Sequence, residues 1–158
     1  MNSAPAMRRL LLVPAVLSVV AIGCGSSDDV IAKADRLCKV AQAKQLALLD
    51  GTSTNSKDPK VMKAYLESSL SQTKEWNKQL AALEPPSDLK KEWTAWTDAL
   101  SQQEKASERL IETVKPGMDT GPKSPYVQAL NSDLAGQVGT NKKATDLGLD
   151  ECGQLASI

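Results

Sequence analysis

The chain has no histidine and no phenylalanine, and its few aromatic residues are Trp76, Trp93, Trp96, Tyr65 and Tyr126. The missing histidine excludes Ser-His-Asp and Cys-His nucleophile systems, the HExxH zinc site and a histidine-ligated haem. It also excludes the Glu-x-x-His pairs of the di-iron carboxylate bundles. Neither GxGxxG nor GxxxxGK[ST] occurs, so the phosphate-cradling loops of those types are absent. Carboxylate, Ser-Lys or tyrosine chemistry stays open, but no spacing points to it, and no cofactor site is read. There is no excess of one charge either, with 19 Lys and Arg against 19 Asp and Glu. Without a concentrated basic face there is no electrostatic reason to expect nucleic acid as a partner. The missing phenylalanine leaves a core to be built mainly from Leu, Ala and Val.

Long apolar runs are absent except for one, from Leu10 to Ile22, preceded by Arg8 and Arg9. A short positive region followed by such a run is the pattern of a secretory signal peptide. The run is too short for a membrane span, which needs about 20 apolar residues. It ends in Ala21-Ile22-Gly23-Cys24, which resembles the lipobox of bacterial lipoproteins, although the usual leucine three residues before the cysteine is Ala21 here. The resemblance implies removal of residues 1–23 and lipidation of Cys24, which anchors the protein in membrane lipid outside the cytoplasm. The alternative is ordinary signal peptidase, which also cuts before residue 24 and leaves an unmodified thiol. Cysteine arithmetic favours lipidation. Of the three cysteines, Cys38 and Cys152 can pair in an oxidising compartment, and lipidation uses the odd one.

Cleavage removes Arg8 and Arg9 and no acid, so the mature part carries 17 basic and 19 acidic side chains, a net charge of −2. Its length fits one domain. Residues 24–29 read as the lipidated cysteine and a polar tether, and 30–158 as the folded domain. Four helical segments follow. Candidate N-caps are Ser27, Asp58, Ser87 and Ser124, each followed by a carboxylate or proline in the first turn. Gly51, Pro85-Pro86, Pro116-Gly117 and Gly148 supply the stops.

Between these marks the spacing is helical. Met62, Leu66, Ser69, Thr73, Trp76, Leu80 and Leu83 recur in steps of four and three, as do Leu89, Trp93, Trp96, Leu100, Gln103, Ser107, Leu110 and Val114. The first helix repeats the pattern through Ile31, Ala34, Cys38, Ala41, Gln45 and Leu48. In the last, Val127, Leu130, Leu134 and Val138 form the apolar stripe, and Gly136 and Gly139 allow a bend. No segment alternates with period two. The expected fold is an all-α, up-down-up-down four-helix bundle with one disulfide, its helices roughly 35 to 42 Å long.

The disulfide is expected between Cys38 and Cys152. Cys38 lies about three turns into the first helix, some 15 Å above its start. A left-handed Gly148 reverses the chain, and the residues from Leu149 to Cys152 can climb back by up to about 13 Å. In such a bundle Ser69 and Thr73 fall level with Gln103 and Ser107, near Ala41, Cys38, Gly136 and Gly139. The larger Trp76, Trp93, Trp96 and Leu80 crowd the other half. A small, polar interior layer can be a ligand pocket. It can equally be hydroxyls bonded back to their own helix, or a register-setting layer. The tryptophans allow a cation cage but are ordinary core residues at these positions. Asp146, Asp150 and Glu151 with Asp28 and Asp29 lack the spacing of a calcium loop and read as solvated acids.

Cys38, the Leu83-Glu84-Pro85-Pro86 turn and Leu147-Gly148-Leu149-Asp150-Glu151-Cys152-Gly153 together resemble small α-helical secreted lipoproteins of actinobacterial type. That resemblance implies a disulfide-tied helical domain at the cell surface and implies no activity. The functional expectation is a non-enzymatic, membrane-anchored interaction or adaptor domain that docks an envelope protein. Its loops 51–57 and 116–123 face away from the lipid. The alternative is small-ligand capture in the layer of Ser69, Thr73, Gln103 and Ser107. A cavity of about 300 Å³ or more favours the ligand, and a filled core with an exposed apolar patch favours the protein partner.

Overall fold

A computed structural model describes residues 27–51, 58–85 and 87–154. Residues 1–26, 52–57, 86 and 155–158 lie outside the described residues, and with them the expected signal peptide 1–23 and the expected lipidation residue Cys24. The described chain is all-helical: α1 (Ser27–Gly51), α2 (Pro59–Ala81), α3 (Lys90–Thr113), α4 (Pro125–Asp146) and a final 3₁₀ turn (Cys152–Gln154). The four long helices form an up-down-up-down bundle. α1 already includes Ser27, Asp28 and Asp29, which places these residues in the first helical turn and not in the tether.

Local chemistry sets most boundaries. The Asp58 carboxylate accepts from Lys60 N at 2.9 Å, and Ser124 Oγ accepts from Val127 N at 3.2 Å; a proline follows each cap. Ser87 does not cap α3. The N-cap is Leu89, with no side-chain hydrogen bond, and Ser87 to Leu89 form a turn. Leu89 packs against the core, and this contact holds the turn in place of a hydroxyl cap. At the other end, Pro116 and Gly117 (φ 71°) occupy the centre of a turn closed by Met118 N to Lys115 O at 3.1 Å. A positive φ at the third turn position calls for glycine.

α4 ends in a Schellman motif. Gly148 has φ 78°, Leu149 N donates to Ala144 O, and Gly148 N donates to Thr145 O, both at 2.9 Å. The chain then turns back onto α1. Glu151 N donates to Asp35 Oδ1 at 3.1 Å, and Cys152 is bonded to Cys38 with the Cα atoms 5.0 Å apart. This turn has an architectural role. α1 packs on α2, α2 on α3 and α3 on α4, but no Cα of α1 lies within 8 Å of a Cα of α4. The C-terminal turn touches both helices and closes that side of the bundle.

The core is concentrated at the disulfide end. Val30, Ala34, Cys38, Leu80, Trp93, Trp96, Leu100, Ala144, Leu147, Leu149 and Cys152 form one buried cluster. Trp93 and Trp96 meet edge to face with centroids 5.2 Å apart. Towards the loop end the packing thins. Past Cys38, none of the residues from Lys39 to Asp50 on α1 is fully buried.

The inward face of α4 differs from the stripe expected from its apolar residues. Leu134 and Val138 are 46% and 67% exposed, whereas Asp133, Thr140, Ala144 and Leu147 are buried. Ala144 and Leu147 are held in the core beside the C-terminal turn. From there the helical period carries Thr140, Gly136 and Asp133 inward and turns Val138 and Leu134 out.

Candidate functional site

Where the core thins, the bundle leaves a cleft of about 250 Å³ between α2, α3 and α4, reached by Gln45 from α1. Ser69, Thr73, Gln103 and Ser107 all line it, so the structure brings the four residues of the polar layer together. Cys152 touches its base. On the outer side of Thr73 and Trp76 runs a second groove of about 230 Å³ between α1 and α2, in which Ala41 and Gln72 lie.

The two sides of the cleft differ in chemistry. On α2, Thr73 Oγ1 donates to Ser69 O at 3.0 Å and accepts a long 3.5 Å bond from Gln45 Nε2. This is largely the local back-bonding that serine and threonine adopt within helices. The α3–α4 side is more than local. Gln103 Nε2 donates to Asp133 Oδ1 at 2.9 Å and to Asp133 O at 3.1 Å. Ser107 Oγ donates to Asp133 Oδ1 at 2.6 Å, and Gln137 Nε2 donates to Asp133 Oδ2 at 3.2 Å. Asp133 is thus the hub. Burial pushes its carboxyl above the ordinary range, offset in part by the hydrogen bond from Ser107.

Asp133 has no place in the apolar stripe of α4 and goes unnoticed when hydrophobic residues are followed. A signal was present: counting back from Leu147 in steps of three and four gives Ala144, Thr140, Gly136 and Asp133. Gly136 also has a defined task. Gln103 Oε1 occupies the space a Cβ at residue 136 would fill, so the missing side chain lets α3 and α4 approach around the amide. By contrast, nothing lies within 4 Å of the Cβ position at Gly139.

This contrast makes a paired prediction. Gly139→Ala should raise stability by about 0.5 to 1 kcal/mol, the helix-propensity difference alone. Gly136→Ala gains the same propensity but must displace a buried amide that holds Asp133. With lost buried hydrogen bonds costing about 1 to 3 kcal/mol, it should come out destabilising by about 1 kcal/mol or more. Urea unfolding of the two variants beside wild type measures both signs. Equal stabilisation would mean that Gln103 yields freely.

Three further polar atoms in or beside the cleft are buried without a hydrogen-bond partner: Trp76 Nε1, Asn77 Oδ1 and Gln103 Oε1. Asn77 uses its amide nitrogen on Glu104 Oε1 at 2.6 Å, which leaves its oxygen over. Trp96 lines the base of the cleft but is 1% exposed and serves as core, and Trp93 lies wholly within the core cluster. The acids at the disulfide end meet cations: Asp146 pairs with Lys142 at 2.7 Å, and Glu151 lies 3.7 Å from Lys39.

No family model, curated protein or solved structure matches this chain.

Proposed function

We propose that this is a lipid-anchored, extracytoplasmic binding domain that captures a small ligand in the cleft between α2, α3 and α4 and performs no chemistry on it. The observation that carries the reading is the cleft left open where the core thins. About 250 Å³ is lined by apolar side chains and a few convergent polar groups. At that volume the cleft falls short of the roughly 300 Å³ that favours a drug-sized ligand, so the ligand proposed is a smaller one. Asn77, which lines the cleft, carries a buried oxygen with no partner in the protein, a desolvation cost that a bound ligand can offset. To test the reading, the cleft is filled with Ser69→Phe, and small molecules that co-purify with each form are compared by native mass spectrometry. A molecule retained by wild type and lost from the variant is the expected result; no retained molecule in either would count against it.

Docking of an envelope protein is the second reading. It is favoured by large apolar side chains left exposed, Val40 and Leu46 on α1 and Leu134 and Val138 on α4. These lie on two helices that do not approach each other, so they offer no single apolar patch. If this reading holds, Leu134→Glu with Val138→Glu should abolish capture of a partner from the protein's own membrane while leaving the fold intact.

Both readings share the anchor at Cys24. Two or more acyl chains, at about 0.8 kcal/mol per buried CH₂, hold a protein on a membrane where one chain does not. Radiolabelled palmitate should enter wild type and not Cys24→Ser. Equal labelling of the two, or release of wild type into the medium, would show that the cysteine is unmodified.

A further inference from the structure

We infer that the ligand of the cleft is a small organic cation: an amine, protonated at neutral pH, on an apolar body. The inference rests on reading the cleft as a ligand site and adds the class of molecule it takes. It starts from a charge imbalance. Among the described residues that line the cleft there is no lysine or arginine, and the one carboxylate is Asp133. Its residue is 6% exposed. Its partners Gln103, Ser107 and Gln137 are all neutral donors. Lysines that form ion pairs do so elsewhere, on Glu151, Glu108 and Asp146. A carboxylate drawn out of water and held by neutral groups alone lacks a counter-charge. Supplying one from the ligand recovers Coulomb energy that is larger in a partly desolvated cleft than in water.

Most of the rest of the wall fits the same class. Of its three unpartnered polar atoms, the amide oxygens Asn77 Oδ1 and Gln103 Oε1 are acceptors and suit a ligand that donates, while Trp76 Nε1 is a donor that such a ligand leaves unmet. The Gln103 oxygen lies against Gly136, which leaves Asn77 as the acceptor free to meet an N–H group. Tyr65 and Trp76 contribute to the lining, and the faces of such rings attract cations. Leu66, Leu100 and Leu130 offer apolar contact to the body of the ligand. A carboxylate or phosphate ligand would find no cation here and would face Asp133.

The test uses the full lipidated protein in phosphatidylcholine nanodiscs, with empty nanodiscs as blanks. Benzylamine, benzyl alcohol and benzoate share an apolar ring and differ in charge. Binding is followed by tryptophan fluorescence, since Trp76 and Trp96 border the cleft. Wild type should bind benzylamine at least about tenfold more tightly than benzyl alcohol, and benzoate least, because only the amine pairs with the buried charge. Asp133→Asn should lose that preference, with amine and alcohol binding to within about twofold of each other whatever their absolute affinity. If the variant does not fold, the order of the three probes on wild type is itself decisive. Alcohol binding as tightly as amine, or benzoate binding more tightly, overturns the cationic class and leaves the cleft as a ligand site. No response to any probe overturns both.

Discussion

Replacing Cys38 and Cys152 together with alanine is expected to cost about 5 kcal/mol of folding stability, the chain entropy released by opening so long a loop. The two residues are separated by 114 positions, so the bond constrains nearly the whole folded domain in its unfolded state. Total stabilities of single domains are about 5 to 15 kcal/mol, which makes this one bond a large share. Two features of the fold sharpen the expectation. The C-terminal turn is the element that joins α1 to α4, and Cys152 anchors it. Both cysteines are also buried, at 0% and 2% exposure, so their surroundings are packed around the bond. The thermal midpoint of the double variant, followed by far-ultraviolet circular dichroism, should fall by roughly 15 to 20 °C. Reduction of wild type under unfolding conditions should reproduce the loss. A midpoint within a few degrees of wild type would mean that the turn docks unaided.

Trp96→Ala is expected to be nearly as severe, at about 3 to 5 kcal/mol, the range for removing a buried aromatic and leaving its cavity. Trp96 is 1% exposed and stacks edge to face on Trp93. It sits where the closed core meets the base of the cleft, so its loss would also extend the cleft into the core. Ser69→Ala, higher in the same cleft, should change stability by no more than about 0.5 kcal/mol, because Ser69 is only partly buried. Denaturant unfolding of the two variants measures the division of labour between the ends of the bundle. Similar losses for both would mean that stability is spread evenly along the helices. That outcome would contradict the concentration of buried apolar residues at the disulfide end.

The unequal distribution of packing explains how one small bundle can keep a cleft open between its helices. Large apolar side chains and the disulfide hold the end where α1 begins and α4 finishes. The other half is then free to carry polar residues at inward positions. The Asp133 network costs desolvation, and its hydrogen bonds to Gln103, Ser107 and Gln137 offset that cost. A network of this kind also fixes how α3 and α4 face one another, since α4 must be turned so that Asp133 meets both Gln103 and Ser107 of α3; the Gln137 bond lies within α4 itself.

Much of this was legible in the chain by itself, because it depended on local chemistry. Steps of four and three made the segments helical, and Asp58, Ser124 and Gly148 marked three of their ends. Three cysteines, one of them directly after the expected cleavage site, left Cys38 and Cys152 as the pair. The polar layer of Ser69, Thr73, Gln103 and Ser107 followed from residue levels in antiparallel helices. The rotation of α4, the role of Asp133 and the start of α3 were decided only by tertiary contact. α4 has apolar or small residues on more than one face, so its own sequence favours no single inward stripe. Its orientation comes from Ala144 and Leu147 in the core and from the bonded turn beyond them. In the same way Leu89, packed against the core, outweighs the capping preference of Ser87. Capping contributes about 1 kcal/mol, and full burial of a leucine about 1.5 to 3 kcal/mol, of which the partly buried Leu89 gains a share comparable to the cap. Where the two disagree, the contact made across the fold decides.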